Sequence, residues 1–453
     1  MLDAIGALDE DALYASLSRS FQLDRPLDLP PARSELELQR ALADMSARNR
    51  PACNSGYTSF LGCGAYEHFI PATVDALAAD GRFLTAYTPY QAEASQGALQ
   101  AFFEFQTQIA RLTGLDVANA SLYESATAVV EAVSMALNVT GKRRVLIAST
   151  LHPHYREVVR TQLSDLPAHV IDLPCDAAAG VITQPALREA LDDDTACVVV
   201  QSPNVFGLLE DSTGLFAAAH KHEKTLAIAV FNPIAAALIK TPGDCGADVA
   251  VGEGQPLGIA LQYGGPWLGL FATRANLMRK MPGRLVGQTT DTHGRRAFCL
   301  TLQTREQHIR GAKATSNVCT NQGLLALRAT MYMSTMGPQG LRDVAEQCYH
   351  KAHYTAQRIA ALDGFDLAFG ETPFFHEFVV NCPASARTII DACKAHGVLP
   401  GIDCAAMNIG NERQLLITVT ETRTRAQIDA LVDLLGRAVY SQRQFADDQA
   451  VTT

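Results

Sequence analysis

The chain has 453 residues, 48% apolar and 19% charged, and carries 37 Lys and Arg against 47 Asp and Glu, a net charge of −10. The length allows a large core, and an acidic balance without long like-charge blocks excludes a basic nucleic-acid surface. The longest apolar run, Leu226 to Ile239, is cut by Asn232 and Pro233 and is too short to span a bilayer, so no membrane partner is expected.

Residues 1–60 read as an N-terminal helical arm. Its first basic residue, Arg19, follows Asp3, Asp9, Glu10 and Asp11, which fits neither a secretory signal nor a transit peptide. Ser34 before Glu35, Leu36, Leu38, Ala41 and Leu42 is an N-cap opening a helix. The arm packs on the body or on a partner, or is a plain helical cap; the pattern leaves both open. Eleven scattered cysteines with no C-x-x-C pair read as reduced thiols, so a cytoplasmic chain without a metal centre is expected.

Next comes Ser59-Phe-Leu-Gly-Cys-Gly-Ala-Tyr-Glu-His-Phe-Ile-Pro71, whose mixture of glycines, aromatics and His is that of a loop walling a pocket. The turn Thr85 to Gly97, with Tyr87 and Tyr90, leads into an amphipathic helix over Ala98 to Leu112. Val145 to Ser149, His169 to Leu173, Cys197 to Gln201, Leu226 to Val230 and Ala247 to Val251 are short Val- and Ile-rich runs separated mostly by helical patterns. Runs with so little polar alternation predict strands buried on both faces, hence a mainly parallel sheet between helix layers over 61–325. Sites in that architecture lie beyond the C-terminal ends of the strands.

After Arg284 the chain turns polar through Gln303 to Gln322. A helix from about 323 to 336 ends at Gly337-Pro338, and another fills 339–362. Strands near Phe375 to Val380 and Leu415 to Thr420, a helix at 385–396 and a last helix, Arg425 to Val439, predict a smaller α+β C-terminal domain over 326–440. A polar tail, 441–453, follows.

The stretch Gly246 to Leu270 is a strand, a Gly-rich loop and the next strand. In enzymes that use pyridoxal phosphate (PLP) on the large aspartate-aminotransferase-like fold, such a loop holds the Schiff-base lysine. Here no lysine stands between Lys240 and Lys280. The other parts of such a site are sought in turn. Tyr123 to Ala128 has the form of a phosphate cradle at a helix start, but Glu124 puts a carboxylate there, and the helix reads as capped by its own residues. His152 is the ring-stacking candidate, equally a structural histidine. Asn232 stands where an acid would hold the pyridine nitrogen and cannot keep it protonated.

Six stretches, Ser59–Tyr66, Tyr87–Gln91, Val251–Gly258, Gly264–Pro266, Thr304–Arg310 and Lys313–Gln322, together resemble glycine decarboxylase, the P-protein of the glycine cleavage system, and within it the N-terminal half that many bacteria make as a separate α chain (subunit 1). The likeness runs from about Arg25 to about Asp433. It implies a fold type I PLP-dependent transferase domain, with the lysine position falling on Pro256, no catalytic residue in this chain, and PLP bound covalently by a partner β subunit. The family's α pattern has Asp where Asn232 stands, so this chain departs from its own subfamily there. The resemblance further implies an α2β2 assembly that takes glycine and passes its aminomethyl group to the lipoyl arm of the H-protein. Tyr87, Tyr90, Thr315, Ser316 and Asn317 are then the side chains expected to reach the partner's PLP or substrate, or else to cap helices and buttress the contact. Arg305, His308 and Arg310 could pair with carboxylates of substrate or partner, but read rather as structural ion pairs. Two other readings remain: an independent PLP enzyme using Lys240 or Lys313, and a non-catalytic scaffold.

Overall fold

The computed structural model describes residues 1–52, 56–84 and 87–450, excluding the side chains of 439–450. Two compact units divide at Ser55 and Gly56. The first is less helical than its sequence suggests, with one helix of length, Glu35–Ser46. That helix is closed by a capping box: the Ser34 hydroxyl accepts the Glu37 N–H while the Glu37 carboxylate accepts the Ser34 N–H. The unit buries none of its described side chains.

The second unit opens with β1 (Thr58–Ser59), paired in parallel with Val398–Leu399. Its apolar runs form one seven-stranded sheet. The strands are β2 (Val117–Ala118), β3 (Arg144–Ala148), β4 (His169–Leu173), β5 (Thr195–Ser202), β6 (Leu226–Phe231), β7 (Val249–Glu253) and β8 (Gly269–Thr273), in the order β2-β8-β7-β6-β5-β3-β4. The pairings of β8 with β7 and β2 are antiparallel; the rest are parallel. Alternation fixes the layers. Ile147, Val199 and Ile228 pack with Val129 and Val133 of the helix Ser125–Thr140, while Leu146, Val198 and Ala227 pack on Phe216 and Leu187. Both faces are thereby covered, as the unbroken apolar runs require.

Two strands not foreseen, β9 (Leu285–Thr290) and β10 (Arg296–Thr301), form an antiparallel hairpin between Arg284 and the stretch read as polar, Gln303 to Gln322. The smaller sheet contains β11 (Asp366–Leu367), β12 (Glu377–Asn381), β14 (Ile402–Asp403) and β15 (Gln414–Thr418), in the order β11-β12-β15-β14, while β13 (Val398–Leu399) is the partner of β1. A third core lies beneath this sheet, where Phe378, Val380, Ile417 and Leu431 meet. The expected break between two helices occurs at Gly337 (φ 62°, ψ 178°), just before Pro338 in the span Gly323–Ala360. The last helix runs Arg425–Ala450, past Val439 and into the segment read as a polar tail.

Candidate functional site

A cleft opens at the C-terminal ends of β5, β6 and β7, lined by Gly64, Tyr66, Ser125, Tyr155, Asn232, Glu253, Pro256 and His376 among others. The expected wall, Ser59 to Pro71, contributes Gly64 and Tyr66. It is pinned by acids that sequence reasoning did not single out. Glu377 Oε1 accepts the Cys63 N–H (2.7 Å) and the Thr418 hydroxyl (2.8 Å), and Oε2 accepts the Tyr66 hydroxyl (2.6 Å). Gln255 closes the wall from the loop side by pairing both ways with the Tyr66 backbone at 2.9 Å. The available signal was the pair His376-Glu377 inside an otherwise apolar strand run.

The residues around the cleft do not fit PLP. Pro256 stands in the loop, and the cavity volume is about 30 Å³, room for no more than a few waters. Ser125, at the helix start, borders it. The start of the helix Ser125–Thr140 is already filled by carboxylates. Glu124 Oε1 accepts the Thr127 N–H at 2.7 Å, and Glu253 Oε2 accepts the Ser125 N–H at 3.1 Å. Glu253 Oε1 takes two more backbone donors, Gln255 (3.0 Å) and Leu268 (2.8 Å). Asn232 Oδ1 is committed to the N–H groups of Ile234 and Ala235. His152 accepts the His154 N–H at Nδ1 and donates from Nε2 to the Cys63 carbonyl (3.1 Å), which fixes its tautomer. Its ring lies 4.6 Å from that of Tyr155, and burial pulls its pKa down to about 4. It is a satisfied structural histidine.

Burial pushes the Glu253 carboxyl up from 4.5 to about 7, against the pull of its three N–H donors. A carboxyl whose folded-state pKa is raised holds its proton more tightly in the native chain. Stability is therefore greatest below the unfolded value and is eroded as pH rises through about 7. Since the half-buried side chain keeps an edge on the cleft, the loss between pH 5 and pH 8 is about 2 kcal/mol. Glu253→Gln should remove that much of the slope in chemical denaturation; slopes that coincide would refute the assignment.

The donor candidates lie elsewhere. Tyr87 is 94% exposed and Tyr90 54%; Thr85 and Ala86 of the same turn fall outside the described residues. Tyr90 is tied to the polar stretch through Arg284, which is 4% exposed. This guanidinium donates to Thr320 Oγ1 (3.1 Å), Asn321 Oδ1 (2.9 Å), the Cys319 carbonyl (3.1 Å) and the Tyr90 hydroxyl (3.3 Å). Thr315 and Ser316 line a small crevice with Gly283, Arg305 and Glu306, and Asn317 is exposed. Arg305 does not make the structural ion pair expected of it: among the described residues it instead grips the carbonyls of Met281, Gly283 and Leu302. His308 does pair, 3.6 Å from Glu306, whereas Arg310 lies exposed. The structure thus joins Tyr90 to 319–321 and leaves Tyr87 apart.

Lys240 is exposed at the edge of a second cleft of about 160 Å³ that adjoins the first along Val230, Phe231 and Asn232. Among the described residues His68, Cys348 and Glu421 bring ligand-type atoms within 4.8 Å of one another. The carboxylate there is already filled by His68 Nδ1–H (2.7 Å), the Phe69 N–H (2.6 Å) and the Cys348 thiol (3.4 Å), so the trio forms a hydrogen-bonded core. Every described cysteine is a free thiol, and no described helix is long and apolar enough to cross a membrane.

Sheet, flanking helices and smaller α+β domain define the class: the fold is that of PLP-dependent fold type I enzymes. A sphingosine-1-phosphate lyase from Burkholderia pseudomallei superposes with a TM-score of 0.66 at 14% identity over 97% of this chain and 98% of its own. Within that class the chain belongs to the glycine cleavage system P-protein family, whose sequence model matches residues 1–435. It is 47% identical over 440 residues to a protein of Thermomicrobium roseum named probable glycine dehydrogenase (decarboxylating) subunit 1, covering 97% of both chains. A crystal structure of glycine decarboxylase (P-protein) of the glycine cleavage system, in inhibitor-bound form, has a TM-score of 0.88 at 40% identity, covering 97% of each chain.

Proposed function

We propose that this chain is the α subunit of a two-chain glycine decarboxylase, working in the cytoplasm with a β subunit in an α2β2 assembly. The observation that carries the reading is the end-to-end likeness to a protein named subunit 1, in a chain with no lysine between Lys240 and Lys280. The partner's PLP supplies carbanion stabilisation when glycine loses CO2 and its aminomethyl group passes to the lipoyl arm of the H-protein. This chain's part is to position: Tyr87, Tyr90 and the Thr315-Ser316-Asn317 corner are offered to the partner's site, Tyr90 held by Arg284 and the corner lying beside Arg305. The arm, with Leu8, Phe21, Leu27 and Leu29 all exposed, is offered to the same partner.

The reading is tested by borohydride trapping and absorbance with PLP on this chain, on the candidate β subunit and on the mixture, followed by glycine–bicarbonate exchange. Label on β alone, with exchange requiring both chains, is expected. Label on this chain, at Lys240 or Lys313, would make it an enzyme in its own right and overturn the proposal. In the reconstituted pair, Asn317→Ala is expected to lower exchange about tenfold without separating the subunits, the loss of roughly one hydrogen bond to a charged group. Full exchange in that variant and in Tyr90→Phe would reduce the chain to a scaffold.

A further inference from the structure

The first turn of the helix Ser125–Thr140 is where an anion belongs, because its free N–H groups and dipole favour negative charge. We propose that the Glu253 carboxylate stands in for a phosphate at this helix start and seals the cleft of this chain against PLP and free phosphate alike.

Three observations converge. The carboxylate takes the Ser125 N–H at the helix start and two further amides of its own loop, Gln255 and Leu268, so it is held by three backbone donors as a bound anion would be. Glu124 takes another amide of the same turn, that of Thr127, and adds a second carboxylate beside it. Glu253 ends β7, three positions before Pro256, so one short loop both lacks the amine and carries the anion. A phosphate dianion entering here would have to displace a tethered carboxylate whose effective concentration no free ligand matches, and would then lie against Glu124. The inference concerns this chain's own cleft and holds whether or not a companion subunit completes an enzyme.

The test uses the full chain alone at about pH 8, where the Glu253 carboxyl, pushed up to about 7, is ionised, with thermal unfolding and absorbance followed against inorganic phosphate and against PLP at constant ionic strength. The wild type is expected to show no saturable response to either. Glu253→Ala removes the charge and opens the volume, and is expected to gain saturable stabilisation by phosphate, with affinity at least about tenfold above the wild type. Saturable binding of PLP or phosphate by the wild type would overturn the proposal, as would a folded Glu253→Ala chain that gains nothing. If that variant does not fold, Glu253→Gln, which keeps the volume and loses the charge, takes its place beside the wild-type titration. The exchange assay of the mixed chains fails or succeeds independently, so the two readings can fall separately.

Discussion

Arg284→Ala is expected to destabilise the chain by about 3–5 kcal/mol and to lower glycine–bicarbonate exchange in the reconstituted pair about a hundredfold. The side chain is nearly sealed from solvent, and four oxygen acceptors converge on it. Removing it leaves Thr320 Oγ1 and the Cys319 carbonyl without their donor; Cys319 is exposed and Thr320 half-buried, so water recovers part of the loss and each costs about 1 kcal/mol. The geometric consequence is larger still. Asn321 also donates to the Ala120 carbonyl (2.6 Å), and the Gln322 N–H donates to the Ser121 hydroxyl (3.0 Å), so 319–322 is stitched to 120–121 on one side and to Arg284 on the other. Without the guanidinium, Tyr90 also loses the cation lying 5.5 Å from its ring centroid. Arg284→Lys has too few donors in the right plane to serve all four acceptors, and should recover part of the exchange. Exchange at the wild-type rate in a folded Arg284→Ala pair would mean that this polar stretch positions nothing.

What was legible in the sequence follows burial. The run Leu226 to Val230 has no polar residue to alternate, which means two covered faces, and it is β6 at the middle of the sheet. The hairpin β9–β10 escaped because the end of β9, Gln288 to Thr290, is exposed and wholly polar, leaving no period of two. Its signal lay in the turn, where Asp291 receives the Arg295 N–H and Gly294 has a φ of 76°. The cleft was legible through its defects, the missing lysine and Asn232. Glu253 was within the family-like stretch Val251 to Gly258 yet passed unnoticed, since a carboxylate in a Gly-rich loop looks solvated until the amides of Ser125 and Leu268 are folded onto it. Glu210, which holds Thr150, Asn204 and Ile182 together, is invisible for the same reason: its partners lie 6 to 60 positions away.

Gly207→Ala is expected to cost at least about 4 kcal/mol, against about 1 kcal/mol for Gly141→Ala. Both glycines have a positive φ, 82° and 71°, so both substitutions carry the left-handed penalty. Only one meets a wall. A Cβ on Gly141 finds nothing within 4 Å, whereas on Gly207 it falls 2.0 Å from the Glu377 carbonyl oxygen and 2.6 Å from Glu377 Cβ. The loop cannot retreat, because Asn204 clamps it from within by accepting the N–H groups of Phe206 and Leu208 while donating to Glu210 and to the Gly180 carbonyl. β12 must therefore move, and Glu377 moves with it, away from Cys63, Tyr66 and Thr418. The two changes differ by a clash alone, so the gap between their denaturation midpoints measures how rigidly the small sheet is seated on the loop after β5. Equal midpoints would show that the seat gives way, and the wall of the cleft would then have no fixed support.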